Sequence, residues 1–307
     1  MSSFEVSQGD LVRRFIFENS PVRGHLVYLD AAWHAVFEHH SYPAHVLDVL
    51  GQSIAAVSLI ASTRKFDGTL TLQLQGPGAM HLLVAQCTHS FGVRGVARWN
   101  SDVRTGTLQE MAGEGGRLTV TAESDDGSTR YQGIVPLAGD TLGACLEAYF
   151  RDSEQLPTRL WLASTRTRVA GFLLQRLPHS TSAGARAAQA SHEDADEAWN
   201  RIEQFASTLQ TEELVNLPHT ELLHRLFHEE DVRLFEPAPV FFRCRCSRER
   251  VAGILTSLGQ AEVRSIVAER GSVEVRCEFC NRAYRFDAVD TEHLFSQTGS
   301  THSSTLQ

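Results

Sequence analysis

Lysine is almost missing from this chain: of 28 basic residues only Lys65 is a lysine, and the rest are arginines. A GxxxxGK[ST] loop needs its lysine at the nucleotide phosphates. Thr63-Arg64-Lys65-Phe66 does not fit that pattern, which excludes ATP hydrolysis through such a loop. Long apolar runs are missing too. The longest uncharged aliphatic stretch, around Ile54 to Ala61, is far short of the ~20 residues that cross a bilayer, so no membrane partner is expected. The opening MSSFEVSQGDLVRRF contains Glu5 and Asp10 and lacks the basic start and apolar core of a secretory signal, so a reducing cytoplasm is the expected location. Positive charge is not in excess. The formal net charge of -9 disfavours nucleic acid, whose binding is largely phosphate neutralisation. Six cysteines in 307 residues are too sparse for a disulfide-stapled miniprotein.

What is present fits an ordinary folded protein. With 42% hydrophobic and 21% charged residues the chain can bury a sizeable core, and its length allows one large unit and a smaller one. The acidity is concentrated: residues 179–240 carry 4 basic and 12 acidic side chains, net -8. Leu70 to Gln75 alternates apolar and polar with period two and ends at Gly76-Pro77-Gly78, the pattern of a half-exposed strand. Arg117 to Ala122 and Thr129 to Val135, joined through Asp125-Asp126-Gly127, read as a hairpin. Ala44 to Ser62 and Leu142 to Phe150 have helical spacing. Strand-helix-strand repeats are missing, so the expected class is α+β: a mixed α/β sheet domain over 1–178, a helical linker over 179–240, a small zinc-binding domain over 241–290 and a flexible tail over 291–307. Within the linker, Ala195, Trp199, Ile202, Ala206 and Leu209 recur in steps of four and three. Leu214, Leu217, Leu222, Leu223, Leu226 and Phe227 continue the stripe until Glu236-Pro237-Ala238-Pro239. Such a stripe must lie against something else, and its acidic excess is expected to make that docking marginal.

Cysteines stand at 87, 145, 244, 246, 277 and 280. The first two are flanked by aliphatic residues and read as buried and inert. The others form Cys244-Arg245-Cys246, thirty intervening residues, then Cys277-Glu278-Phe279-Cys280. Two close pairs on a compact stretch bring four thiolates around one tetrahedral ion, and zinc suits four soft sulfurs. Paired structural disulfides are the rival in an oxidising compartment. Four protein sulfurs leave no open position for water, so hydrolysis is not expected. His219-Thr220-Glu221 is half of the HxE and PCxxC deaminase signature, but Arg276 stands where the proline belongs. A small zinc ribbon has too little core to fold without its metal, and oxidation of its thiolates would eject the ion, so the site has the chemistry of a switch as well as of a staple.

Tyr149-Phe150-Arg151-Asp152-Ser153-Glu154-Gln155-Leu156-Pro157-Thr158-Arg159-Leu160-Trp161-Leu162-Ala163 resembles the YFxxSEQLPTRLWLA signature of the redox-regulated 33-kilodalton heat-shock chaperones, the chaperonin family of that size. Val22-Arg23-Gly24, Phe66-Asp67-Gly68-Thr69-Leu70-Thr71-Leu72-Gln73, Arg94-Gly95 and the terminal CxC and CxxC pairs are similar as well, from about Phe15 to Phe286. The resemblance implies an ATP-independent holdase and not an enzyme. Its reduced form would hold one Zn2+ per chain on Cys244, Cys246, Cys277 and Cys280 and be inactive. Oxidation with heat or unfolding stress would form two disulfides, Cys244 with Cys246 and Cys277 with Cys280. Zinc would leave, the linker and zinc domain would unfold, and unfolding client proteins would be bound. The resemblance also implies an active homodimer and hand-over of clients to the seventy-kilodalton chaperone system. Exposure of the linker stripe, including Phe205, would supply the apolar area a holdase needs. Two other readings compete: a zinc ribbon touching nucleic acid through Arg243, Arg245, Arg248 and Arg250, and a thiol oxidoreductase using Cys277 and Cys280, although that CxxC lacks a thioredoxin context.

Overall fold

The computed structural model describes residues 9–100, 103–178 and 192–298. They fall into two compact units, Met1–Arg243 and Cys244–Gln307. In chain order the first contains β1 (Leu11–Phe17), β2 (Val22–Leu29), α1 (Ala31–Phe37), α2 (Ala44–Ser62), β3 (Gly68–Gln75), β4 (Met80–Thr88), β5 (Gly92–Trp99) and α3 (Leu108–Ala112). It continues with β6 (Arg117–Ser124), β7 (Arg130–Val135), α4 (Leu142–Asp152), β8 (Thr158–Ser164), β9 (Val169–Arg176), α5 (His192–Ser207), α6 (Thr211–Asn216), α7 (His219–Phe227), β10 (Val232–Leu234), β11 (Ala238–Pro239) and β12 (Phe241–Phe242). The second contains α8 (Arg248–Leu258), α9 (Gln260–Arg270), β13 (Val273–Arg276), β14 (Ala283–Phe286) and α10 (Ala288–Thr298). The class is α+β, as the sequence leads one to expect.

Two six-stranded sheets form the first unit, one ordered β10-β1-β2-β9-β8 with β11 also on β1, the other β12-β5-β4-β3-β6-β7. The alternation in β3 places Leu70, Leu72 and Leu74 inside, and the Asp-Gly hairpin pairs β6 with β7. Helix α2 packs against both sheets, and fourteen of its residues are buried among residues such as Leu72, Ala85, Val27 and Leu173. Its length and apolarity are those of a bilayer-crossing helix, which a reading limited to uncharged runs misses because His45 and Asp48 interrupt it. Here 78% of it is buried inside the protein. Strand β9 is buried on both faces: Val169 and Leu173 face the α2 core, while Ala170, Phe172 and Leu174 join a second core. Two glycines of the signature motifs are dictated by space. A Cβ on Gly24 would sit 2.0 Å from the Phe15 ring, and one on Gly95 would sit 2.9 Å from Ile54.

The linker stripe does find a partner. Trp199, Ile202, Ala206, Leu209, Leu222, Leu223 and Phe227 from α5 to α7 close over Phe15, Phe17, Leu26 and Phe172. The expected small polar joint at 179–185 lies outside the described residues, as do residues 299–307. The expected tail is corrected at its start, since Ala288–Thr298 is helix. Asp287 and Asp290 cap it by reciprocal backbone-to-carboxylate bonds of 3.2 and 2.9 Å, and Leu294 and Phe295 pack on the core of the second unit.

Candidate metal centre

The thirty residues between the cysteine pairs are not a ribbon but the helices α8 and α9 followed by strand β13. Ser247 caps α8, its hydroxyl accepting from the Arg250 N–H at 3.2 Å. Gly259 at φ 99° and Gly271 at φ 77°, a left-handed C-cap, set where α9 begins and ends. The chain then returns as the β13–β14 hairpin with Cys277 and Cys280 in its turn. The Asn281 N–H donates to the Cys277 carbonyl at 2.7 Å, the Cys277 N–H donates to the Arg282 carbonyl at 3.0 Å, and Asn281 takes φ 54°, a value asparagine tolerates. Cys244 and Cys246 lead directly into the capped start of α8.

These local choices bring Cys244, Cys246, Cys277 and Cys280 together with all four sulfurs within 4.8 Å of one another. Two of the approaches cross between the pairs, Cys244 to Cys277 at 3.5 Å and Cys246 to Cys280 at 3.4 Å. Sulfurs on a tetrahedral zinc at the usual ~2.3 Å are about 3.8 Å apart, so the donor set fits one such ion. All four thiols are free and half-buried. Burial raises Cys244 and Cys280 above the ordinary thiol range. Burial pulls Cys246 the same way, but the Tyr284 hydroxyl, donating at 3.1 Å, and the other thiols bring it down to about 7. Tyr284 in β14 is a contributor that the cysteine spacing does not reveal. Its only signal in the sequence is a polar-tipped aromatic four residues beyond Cys280.

The remaining sequence candidates do not join this cluster. Cys87 is buried, and burial pushes its thiol up to about 12; Cys145 is buried and raised for the same reason. His219 starts α7 in the first unit, where its ring lies 4.2 Å from that of Tyr28. Arg243 belongs to the first unit and Arg245, Arg248 and Arg250 to the second, where Arg248 is engaged by Asp290 at 2.8 Å and by the Phe286 ring at 4.2 Å. The CxxC occupies a hairpin turn and not the start of a helix.

A second functional region is the seat of α5 to α7. Phe227 meets Phe17 edge-on at 5.0 Å and Phe172 at 6.3 Å. Arg168, held by both oxygens of Asp30 at 2.6 and 2.9 Å, donates to the Val215 carbonyl at 2.9 Å, and the Tyr28 hydroxyl donates to the Leu217 carbonyl. Arg159 pairs with Glu203 and Arg176 with Asp196, which neutralises part of the acidity expected to oppose docking. Exposed pairs of this kind contribute at most about 1 kcal/mol each, so the apolar stripe carries most of the attachment. The signature from Tyr149 to Ala163 is structural. Tyr149 donates to Glu154 at 2.9 Å, Glu147 accepts from the Leu160 N–H at 2.7 Å, and Gln155 makes the turn at φ 54°.

Comparison with known proteins gives one answer. The family model described as Hsp33 protein matches residues 10–287. A 33 kDa chaperonin of Nitrosococcus oceani is 49% identical over 288 residues, covering 94% of this chain and 95% of its own. The 33 kDa chaperonin of Azotobacter vinelandii is 45% identical over 298 residues, covering 96% and 97%. The crystal structure of the Thermotoga maritima 33 kDa chaperonin, a heat shock protein 33 homologue, superposes with a TM-score of 0.76 at 23% identity, over 95% of this chain and 99% of that one, and shares its fold.

Proposed function

This chain belongs to the Hsp33 family and is a chaperone for unfolded proteins, and from that premise we propose that it is an ATP-independent holdase switched by the oxidation state of its four-sulfur cluster. In the reduced protein Cys244, Cys246, Cys277 and Cys280 hold one Zn2+ as thiolates. Bound there, an ion would cross-link the start of the second unit to its β13–β14 turn. That unit has a core of six buried apolar side chains, Val251, Leu255, Val263, Val273, Tyr284 and Phe286, too few to hold it without a staple.

A peroxide removes two electrons for each disulfide formed and is itself reduced to water. Cys244 joins Cys246 and Cys277 joins Cys280, and their sulfurs then lack the anionic lone pairs that would hold a Zn2+ ion, whose own oxidation state is unchanged. The second unit then unfolds, and α5 to α7, separated from it in the chain by the short strands β10 to β12, leave the sheet. The apolar stripe and the sheet beneath it bind clients. The released acidic segment keeps the opened protein soluble. Dimerisation in the active state, a cytoplasmic location and hand-over to the seventy-kilodalton system on reduction complete the reading. The convergence of four free sulfurs from two distant segments carries it.

The test measures zinc, free thiols and suppression of thermal aggregation before and after peroxide at heat-shock temperature. About one zinc per chain is released as suppression appears. Oxidised protein that suppresses no better than reduced protein contradicts the proposal.

A further inference from the structure

Strand β8 is the edge of its sheet. The bonds from Thr165 N–H to the Arg168 carbonyl, 2.8 Å, and from Arg176 N–H to the Pro157 carbonyl, 2.9 Å, bracket its ladder with β9. With the observed register, Arg159, Trp161 and Ala163 bond inward, and Leu160, Leu162 and Ser164 turn their N–H and C=O outward. Helix α4 covers the Leu160 end of this edge, Glu147 accepting from the Leu160 N–H at 2.7 Å and Gly143 packing against the Leu160 carbonyl, which leaves Leu162 and Ser164 with outward groups that have no partner among the described residues. Beside them runs a cavity of about 240 Å³, lined by Leu160, Leu162, Gln52 and Gly143 and closed by Leu209 and Leu214 of the linker.

An edge that offers alternating donors and acceptors about 6.8 Å apart, next to a trench lined by both apolar and polar side chains, takes an extended polypeptide as an added strand. The linker closes that trench only while it is docked. We propose that this edge is a client site: an extended segment of an unfolding protein pairs with Leu162 and Ser164 once α5 to α7 have lifted. An unfolded chain is the occupant that fits, because unpaired backbone is what all such clients share, and a backbone ladder recognises it without regard to sequence. This deepens the proposed function and rests on its release of the linker.

The test uses the full chain, with reduced carboxymethylated α-lactalbumin as a permanently unfolded probe. Ile202→Asp places a charge in the buried stripe and releases the linker without oxidation. In that background Leu162→Pro removes an outward N–H that the β8–β9 ladder does not use, whereas Leu162→Ala shortens the side chain and keeps the N–H. Leu162→Pro should weaken probe binding about tenfold or more while Leu162→Ala changes it less than about threefold, with far-UV dichroism unchanged in both. Equal binding by the two variants overturns the proposal, as does a released linker that binds no probe. So does a Leu162→Pro variant that loses only self-association, since the edge then belongs to a second copy. Binding by Ile202→Asp but not by peroxide-treated wild type refutes the redox switch and leaves the edge site standing.

Discussion

Cys246 has a donor, Tyr284, and three thiol neighbours, so loss of one sulfur from the cluster disturbs the others as well as the metal. Cys280→Ser should reduce zinc from about one equivalent per chain to a small fraction and unfold the second unit in the reduced protein, as measured by metal content and far-UV dichroism. Two buried histidines respond to acid. Burial lowers His25 and His219 to about 3 from an ordinary 6.5. Both are neutral in the folded chain, so between those values the unfolded state binds more protons. Their contribution is intact above pH 6.5 and is lost as the pH falls towards 3, at roughly 1 kcal/mol per pH unit for each histidine. Urea unfolding of the reduced protein followed by tryptophan emission at pH 7 and pH 5 checks the slope, and replacing either histidine by glutamine should remove that histidine's share of it.

At the scale of elements, Phe227 ties α7 to β1 and β9. Phe227→Ala should cost about 3–5 kcal/mol of docking, make α5 to α7 sensitive to limited proteolysis in the reduced state and give aggregation suppression without oxidant. Arg159→Ala, which breaks an exposed pair, should change both readouts little. Elements with a repeating signal were readable from the chain: α2, α4 and α5, the β3 alternation and the β6–β7 turn. The four cysteines were equally plain, because spacing alone announces them. Helices α8 and α9 were not, since their exposed faces show little apolar repeat and only Ser247, Gly259 and Gly271 mark their ends. Helix α10 was hidden by its polar composition and is held by contacts of Leu294 and Phe295 that no local pattern encodes. The partner of the linker stripe was expected in kind, but Tyr28, Arg168 and Glu147 belong to segments far off in sequence and become visible only when the sheet is assembled.

For the molecule as a whole, the two units have cores of different size, one broad and apolar and the other, among the described residues, six buried side chains beside the four-sulfur cluster. All four tryptophans, Trp33, Trp99, Trp161 and Trp199, lie in the first unit, so tryptophan emission reports on that unit alone. Chelation of the reduced protein should erase the helical dichroism of α8 to α10 while the emission of Trp33, buried beside α2, is retained. A single simultaneous loss of both signals would show that the cores are not separable. Helix α2 sets the limit on how far activation can proceed. Were the two sheets to part, a segment greasy enough for a lipid bilayer would meet water, and the rescuer would become one more casualty of the heat. The sandwich around that helix must therefore be the last thing to melt.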